Sequence, residues 1–394
     1  MHVLVCFTNF GPYHLARLRA LGEFLEEGNG RLTAVEVASA EGKYPWARSR
    51  GEEPFRWLTL FEGEELESIS AARCSSAMRA LLEQERPDAV AACGYARAES
   101  MAMAAWAQRR GKPAVLMSES QHLDHPRVWW KEAIKRRRVM RFNAGLVGGE
   151  RHRDYLERLG MPRACIALGY NAVDHDWYEQ RAEAARAQGK PEGWLDRPYF
   201  LAVNRFVPEK QLVELVQAHA AYRARVGTAR AWDLVLAGDG PERARAAAAA
   251  HHAGTEHAVH FPGFLQAESL VVWYAHAGAF VHPSRMEPWG LVVNEAAACG
   301  LPLIVSTRAG CVETLVPEPE GTTGYRIAPE DPESLRRALG AMTALSEDER
   351  RAMGARARNQ AREWGPRRFA LGMWEAIERA RRGRRTRVIM EVME

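Results

Sequence analysis

Short apolar runs alternate with longer segments of helical period along the whole chain. Val3 to Phe7 is a continuous apolar run that predicts a strand within residues 2–10. Asn9-Phe10-Gly11-Pro12 is a turn, and Tyr13 to Glu27 then repeats its apolar positions with helical spacing. Similar runs at 32–38, 88–92, 114–118 and 144–147 predict further strands with helices between them. That alternation implies a parallel sheet. Residues 41–66, rich in Gly, Pro, Trp and charge, read as an irregular loop.

The pattern then pauses and restarts. The polar, Ala/Arg-rich segment 181–197 reads as an interdomain connection, and a second sheet begins at Tyr199 to Val203. Its later strands are expected at 233–237, before His260, at 279–281, at 301–305 and within 321–326, with helices at 332–345 and 347–363. Gly365-Pro366 breaks the helix, and Phe369, Leu371, Trp374 and Ile377 form an apolar stripe on a last one. The expected layout is an N-terminal domain at 1–180, the connection, a second domain at 198–365, and a last helix with a basic tail at 366–394.

Composition narrows the function. A length of 394 residues suits two or three domains, and a net charge of +4 leaves no global nucleic-acid footprint. The six cysteines are scattered without a Cys-x-x-Cys pair, which suits buried free thiols in a reducing compartment. No run approaches the length of a membrane span and the start lacks a signal pattern, so a cytoplasmic protein, or one resting on the inner membrane surface, is expected.

The chemistry concentrates in residues 282–313. A strand ends at Val281, Glu287 follows in a loop held by Pro288, and Gly290 opens a short apolar helix that carries Glu295 and stops at Gly300. The amides of Gly290, Leu291 and Val292 would form a helix N-terminus, a seat for phosphate oxygens. Glu295 lies roughly 7–8 Å further along the axis at 1.5 Å per residue, with Glu287 on the other side. A diphosphate there would have one carboxylate towards each end of the ligand, and carboxylates suit the vicinal hydroxyls of a sugar or ribose.

Pro283, Ser284, Glu287, Pro288, Gly290, Leu291, Glu295, Ala296, Ala298, Cys299, Gly300 and Pro302 resemble, in order, the donor site of the retaining glycosyltransferases of GT-B architecture, family 4. Trp289 stands where that family has Phe. Asn204-Arg205-Phe206 to Lys210-Gln211 resembles its Gly-Arg-Leu-x-x-x-Lys-Gly, and Tyr170-Asn171-Ala172-Val173-Asp174 resembles its Asn-Gly-Val-Asp. The resemblance implies two Rossmann-like, doubly wound α/β domains facing a cleft. It also implies transfer of a sugar, with retention, from a UDP- or GDP-linked donor to a glycan or lipid-linked acceptor, with no metal and no cofactor. Arg205 and Lys210 would hold the donor diphosphate. Gly11, Gly238, Phe264, Leu265, Gly290, Leu291 and Val292 would line the donor, and Glu287 and Glu295 would face its sugar and its ribose.

Other residues leave alternatives open. Glu119 ends the strand 114–118, where the family usually has His near the reacting carbon; it serves the chemistry, caps a helix or pairs with an Arg. His14 and His122 are weaker acceptor-side candidates. His122, Asp124 and His125 fit no standard zinc spacing, and Asp174-His175-Asp176 spells a metal motif of another fold inside the junction segment. Trp129-Trp130 followed by a basic run to 141 reads as a membrane-docking helix, an anionic acceptor site, or a solvated helix with its Trp in the core. A sugar-nucleotide binding protein without turnover, and a glycoside hydrolase or phosphorylase, are the rival functions; a hydrolase has no use for a diphosphate clamp.

Overall fold

A computed structural model describes residues 1–40 and 51–393, with side chains for 1–39 and 51–382. The chain divides into two compact units, residues 1–174 with 364–394, and residues 175–363. Each unit is built on one parallel sheet.

The strands of the first unit are β1 (His2–Phe7), β2 (Arg31–Ala40), β3 (Arg56–Glu65), β4 (Ala89–Cys93), β5 (Ala114–Ser118), β6 (Ala144–Val147) and β7 (Ile166–Leu168). They stand in the order β3-β2-β1-β4-β5-β6-β7, all parallel. Val3, Val5 and Phe7 pack into the core on one face of β1, while Leu4 and Cys6 pack into the core on the other. Burial on both faces is why this strand shows no polar alternation.

Two sequence expectations change here. Residues 56–65 of the supposed loop 41–66 form β3 at the sheet edge, and 41–50 lie outside the described residues. The run Trp57 to Phe61 was masked by Glu62, Glu64 and Glu65, charges that an edge strand can carry. On the last helix, Pro366–Met393, Phe369, Ala370, Met373, Ala376, Ile377 and Ala380 are buried in the first unit, whereas Leu371 is exposed. Alanines and a methionine carry that stripe because the helix lies close against β5, β6 and β7; Gly372 sits where a Cβ would be 2.3 Å from the Leu168 carbonyl oxygen.

The second unit has β8 (Tyr199–Val203), β9 (Asp233–Ala237), β10 (Val259–Gly263), β11 (Ala279–His282), β12 (Leu303–Ser306) and β13 (Gly324–Ile327). Their order is β10-β9-β8-β11-β12-β13, again all parallel. The segment 181–197 begins inside the helix His175–Gln188, whose Ala182 and Ala185 are buried. Its Ala/Arg content, read as linker composition, is equally that of a good helix.

Both units therefore have the parallel sheet that the apolar pattern implied and the doubly wound Rossmann-like topology that the resemblance implied. In each, the strand order reverses beside the first strand, between β1 and β4 and between β8 and β11. Loops leaving the carboxyl ends of such strands diverge and open a crevice for ligands.

In the first unit a buried carboxylate shapes that edge. Glu36 on β2 accepts from the Phe10 amide at 3.0 Å, the Trp57 indole N–H at 3.0 Å and the Thr59 hydroxyl at 2.8 Å. It ties the loop after β1 to β3. Glu36→Ala should remove these three bonds and lower stability by roughly 2–4 kcal/mol in urea unfolding, with Glu36→Gln recovering part of the loss. A Glu36→Ala midpoint equal to wild type would remove this role.

Candidate functional site

The site of the second unit starts from two strand ends on either side of the β8/β11 reversal. After β8 the chain turns through Asn204 and Arg205 into a single 3-10 turn, Pro208–Lys210. After β11 it passes Pro283 and Ser284 to Glu287, and the Arg285 amide donates to the Glu209 carbonyl at 2.9 Å, lacing the two loops together. Lys210 Nζ and the His282 ring, 2.8 Å away through Nε2, both donate to Glu287 Oε2. Ser284 Oγ lies 3.2 Å from the same ring nitrogen.

These side chains have little water to screen them. The Lys210 and Glu287 side chains are each 13% exposed and His282 is fully buried. Burial alone would raise the Glu287 pKa, but Lys210 and the His282 hydrogen bond outweigh it and hold the carboxyl near 2. Burial and then Lys210 act the other way on His282 and lower its pKa despite Glu287, so the imidazole is neutral and its Nε2–H is the donor. The result is a fixed carboxylate and a fixed ammonium at the carboxyl edge of the sheet.

Gly290 follows at φ +102°, a left-handed conformation, and a Cβ there would lie 3.4 Å from Glu287 Cγ. It opens the helix Leu291–Ala298, whose half-buried Leu291 and Val292 carry first-turn amides without intrahelical acceptors. Trp289 is buried and its indole N–H donates to Asn294 Oδ1 at 2.8 Å. The departure from Phe thus comes with its own acceptor. The loop is braced from β12, the Gly310 amide reaching the Glu287 carbonyl at 3.1 Å and the Cys311 amide the Trp289 carbonyl at 3.1 Å.

The remaining candidates are spread around this pair. Arg205 is exposed at the β8 end. Glu295 is buried in the helix and Oε2 accepts from the Tyr274 hydroxyl at 2.8 Å. Gly238 has a backbone reason for being glycine: at φ +126° its Cβ would fall 1.9 Å from the Asn204 carbonyl oxygen. Its amide donates to the Gly263 carbonyl at 2.7 Å, which joins the loops after β9 and β10. Beyond Gly263, Phe264 is exposed and Leu265 half-buried. Gln211, where the family motif has Gly, adopts φ +51°, and its Nε2 is held by the Pro329 carbonyl at 3.2 Å.

In the first unit Glu119 leaves the end of β5 half-buried, and Asn171 Nδ2 donates to its Oε1 at 2.7 Å. Beside it the guanidinium of buried Arg17 lies 5.1 Å over the Tyr170 ring, and Arg17 Nε donates to the Ala172 carbonyl at 3.1 Å. Gly11 is in extended backbone, and its amide donates to His14 Nδ1 at 3.1 Å, closing the start of the helix Pro12–Glu27. Burial, and then Arg17, push His14 down to about 3, so it is neutral at physiological pH. His122 is exposed, its ring 6.2 Å from that of Tyr155.

Asp124 Oδ2 accepts from the Gln121 amide at 2.9 Å, and His125 is exposed. Among the described residues the group with metal-ligand spacing is instead His175, Asp176 and Glu179. There Glu179 is paired with Arg358 at 3.0 Å and Arg362 at 2.7 Å, and His175 Nε2 meets the Arg358 carbonyl at 3.1 Å. The junction segment is thereby fastened to the helix Glu347–Arg362.

Sequence reasoning missed His282, Asn171 and Tyr274. His282 had a signal, being a polar residue at the end of an apolar run two positions before Ser284. Asn171 and Tyr274 had none pointing to Glu119 or Glu295, which lie 52 and 21 residues away in sequence.

The Lys210–Glu287 pair sets a pH dependence. A depressed carboxylate pKa contributes stability above its unfolded value, 4.5, that is lost as pH falls towards 2. Wild type should exceed Glu287→Gln by roughly 2–4 kcal/mol at neutral pH, and the gap should shrink by pH ~3. Urea midpoints at the two pH values test this; a gap unchanged by acid would remove the charged pair from the account.

Comparisons with known proteins bear on the second unit and on the fold. Residues 184–360 match the family model described as glycosyl transferases group 1. A GDP-mannose-dependent alpha-(1-6)-phosphatidylinositol monomannoside mannosyltransferase of Mycolicibacterium smegmatis is 30% identical over 209 residues, 51% of this chain and 52% of that protein. An alpha-D-kanosaminyltransferase of Streptomyces kanamyceticus is 30% identical over 212 residues, 53% and 52% of the two chains. The chain thus spans about half the length of curated relatives it matches. Among solved structures, the sucrose-phosphate synthase of Thermosynechococcus elongatus superposes with a TM-score of 0.70 at 21% identity, covering 99% of each chain. The Anabaena protein HepE, in complex with UDP, gives 0.72 at 16% identity over 96% of this chain and 100% of that one. At those identities the likeness is one of fold. The similarity to the glycosyl transferases group 1 thus lies within the second unit, at residues 184–360.

Proposed function

We propose that this chain is a retaining glycosyltransferase that moves a hexosyl group from a nucleotide-diphosphate sugar to an acceptor hydroxyl. The observation that carries the reading is the Lys210–Glu287–His282 constellation at the β8/β11 reversal, inside the segment matched by the group 1 family. A fixed ammonium beside exposed Arg205 and the amides of a helix start suits a leaving diphosphate. The neighbouring fixed carboxylate suits sugar hydroxyls, which donate to it. The mycobacterial relative is named for GDP-mannose and HepE is in complex with UDP, and the donor on this reading is GDP- or UDP-linked.

In the reaction on this reading, the bond between the anomeric carbon and the diphosphate oxygen breaks as the acceptor oxygen bonds the same face of that carbon. The acceptor proton passes to the departing diphosphate. Lys210, Arg205 and the helix-start amides stabilise the growing negative charge, and Glu287 orients the sugar. Glu295 serves the ribose, and its bond to Tyr274 fixes its rotamer. Glu119, anchored by Asn171, accepts from a hydroxyl near the anomeric carbon and favours the positive charge there. Arginine, lysine and amides supply the charge that a metal would otherwise carry, so activity persists in excess chelator. The acceptor is a glycan or a lipid-linked sugar in envelope or glycolipid synthesis, and the chain works in the cytoplasm. Among the described residues no helix is long and apolar enough to cross a membrane.

Incubation with a panel of nucleotide sugars, with and without candidate acceptors, tests the reading. It expects acceptor-dependent release of the nucleoside diphosphate and a product of unchanged anomeric configuration by NMR. Release of free sugar alone would favour a hydrolase, and binding without turnover a sensor. Lys210→Ala and Arg205→Ala should each slow transfer by about 10²-fold or more; full activity in both would end the clamp. Glu119→Gln should keep donor affinity within a few-fold yet lower kcat by roughly 10²–10⁴-fold. An unchanged kcat with a raised acceptor KM would make Glu119 an acceptor-positioning group instead.

A further inference from the structure

The helix Trp129–Val139 of the first unit is built inside out on its solvent side. Its inner face is fully occupied. Glu132 accepts from the Tyr155 hydroxyl at 2.9 Å and from Lys135 at 2.8 Å, and Val139 is buried. The opposite line, Trp130, Ile134, Arg137 and Arg141, recurs at helical spacing and faces water. Trp129 is 82% exposed, Trp130 49%, Ile134 47%, Met140 48% and nearby Leu123 41%. These are five of the seven exposed large apolar residues among those described. Of the three readings of this segment, the one that packs the tryptophans in the core is therefore overturned: Tyr155 and Val139 fill that place.

Charge on the same face is equally unusual. Lys131, Arg136, Arg137, Arg138 and Arg141 are exposed, and among the described residues none of them pairs with a carboxylate. Elsewhere surface arginines commonly do, as in Arg163 with Asp154 and Arg308 with Glu330. Seven cations and one acid fall within 127–141, whereas the whole chain carries a net charge of only +4. A shallow groove of about 400 Å³ joins the two chemistries, lined by Met101, Ile134, Arg137, Arg138 and Arg141.

We infer that this face docks on a bilayer containing anionic lipid. Indole rings partition to the headgroup level, aliphatic tips gain from the acyl boundary, and lysine and arginine draw the helix to negative headgroups. A nucleic acid would satisfy the arginines and the rings but would leave Leu123, Ile134 and Met140 without gain. An acidic protein would need apolar complements that a bilayer supplies without shape. The helix joins β5 to β6, so Trp129 and Trp130 stand at its start, near the carboxyl edge of the sheet where Glu119 lies. Docking would bring a membrane-borne acceptor to that edge; this last link rests on the transferase reading, whereas the docking itself does not.

The test is flotation of the full-length protein with phosphatidylcholine vesicles, with and without phosphatidylglycerol. Binding is expected only with the anionic lipid, and should fall as salt rises. Trp129→Ser with Trp130→Ser, and separately Arg137→Gln with Arg138→Gln and Arg141→Gln, should each weaken it, the arginine triple by about 10²-fold. Circular dichroism and thermal melts of the variants establish that they are folded, and transfer to a short soluble acceptor should be unchanged. Equal binding to neutral and anionic vesicles, or binding that survives both variants, would overturn the inference. So would self-association, seen by sedimentation velocity and abolished by the tryptophan pair, without vesicle binding. Loss of vesicle binding with transfer intact supports docking, while absence of any transfer leaves the flotation result standing by itself.

Discussion

The second unit depends at its functional edge on one buried ion pair. Lys210 and Glu287 come from loops that leave adjacent strands in opposite directions, and each would be costly to bury by itself. Together, with His282 neutral beside them, they fix the two loops against each other at the only place in the sheet where the strand order reverses. The backbone bond between Arg285 and Glu209 and the bracing of 287–289 by 309–311 reinforce the same junction. A site prepared in this way offers its charges without reorganising them, which is the condition for electrostatic help to a leaving group.

The first unit repeats the topology with different chemistry at its edge. Glu36 holds the loop after β1, and the Asn171 side-chain amide donates to Glu119. His14, pushed down to about 3 by burial and Arg17, contributes a neutral ring that caps its own helix. Carboxylates thus stand at both edges, and the second unit adds a lysine that donates beside its own. The arginines Arg137 and Arg138 of the helix Trp129–Val139, which pair with no carboxylate among the described residues, are exposed, away from the Tyr155 contacts that anchor the helix.

Departures from the family motif are absorbed locally. Trp289 in place of Phe finds Asn294 for its N–H, and Gln211 in place of Gly takes a left-handed turn steadied by the Pro329 carbonyl. In contrast, Gly238 and Gly290 retain glycine, one because a carbonyl oxygen stands in the way of a Cβ, the other because its backbone turns left-handed beside Glu287. The motif is therefore partly a record of backbone geometry and partly of chemistry.

Much of the fold was legible in the chain itself, because strands buried on both faces are written as unbroken apolar runs and surface helices as periodic ones. The runs at β1, β5, β8, β9 and β12 declared the two parallel sheets, and the segment from His282 to Pro302 declared its strand, acidic loop and helix. Edge strand β3 and three-residue β7 escaped, the first because charges interrupt it and the second because it is too short to carry a period. What only the tertiary structure decided was partnership. That Lys210 meets Glu287, that Asn171 holds Glu119, that Tyr274 reaches Glu295, and that Trp129 and Trp130 face water are all consequences of which strand ends and helix faces become neighbours. Local pattern reports whether a residue favours burial; the order of strands in the sheet determines what it is buried against.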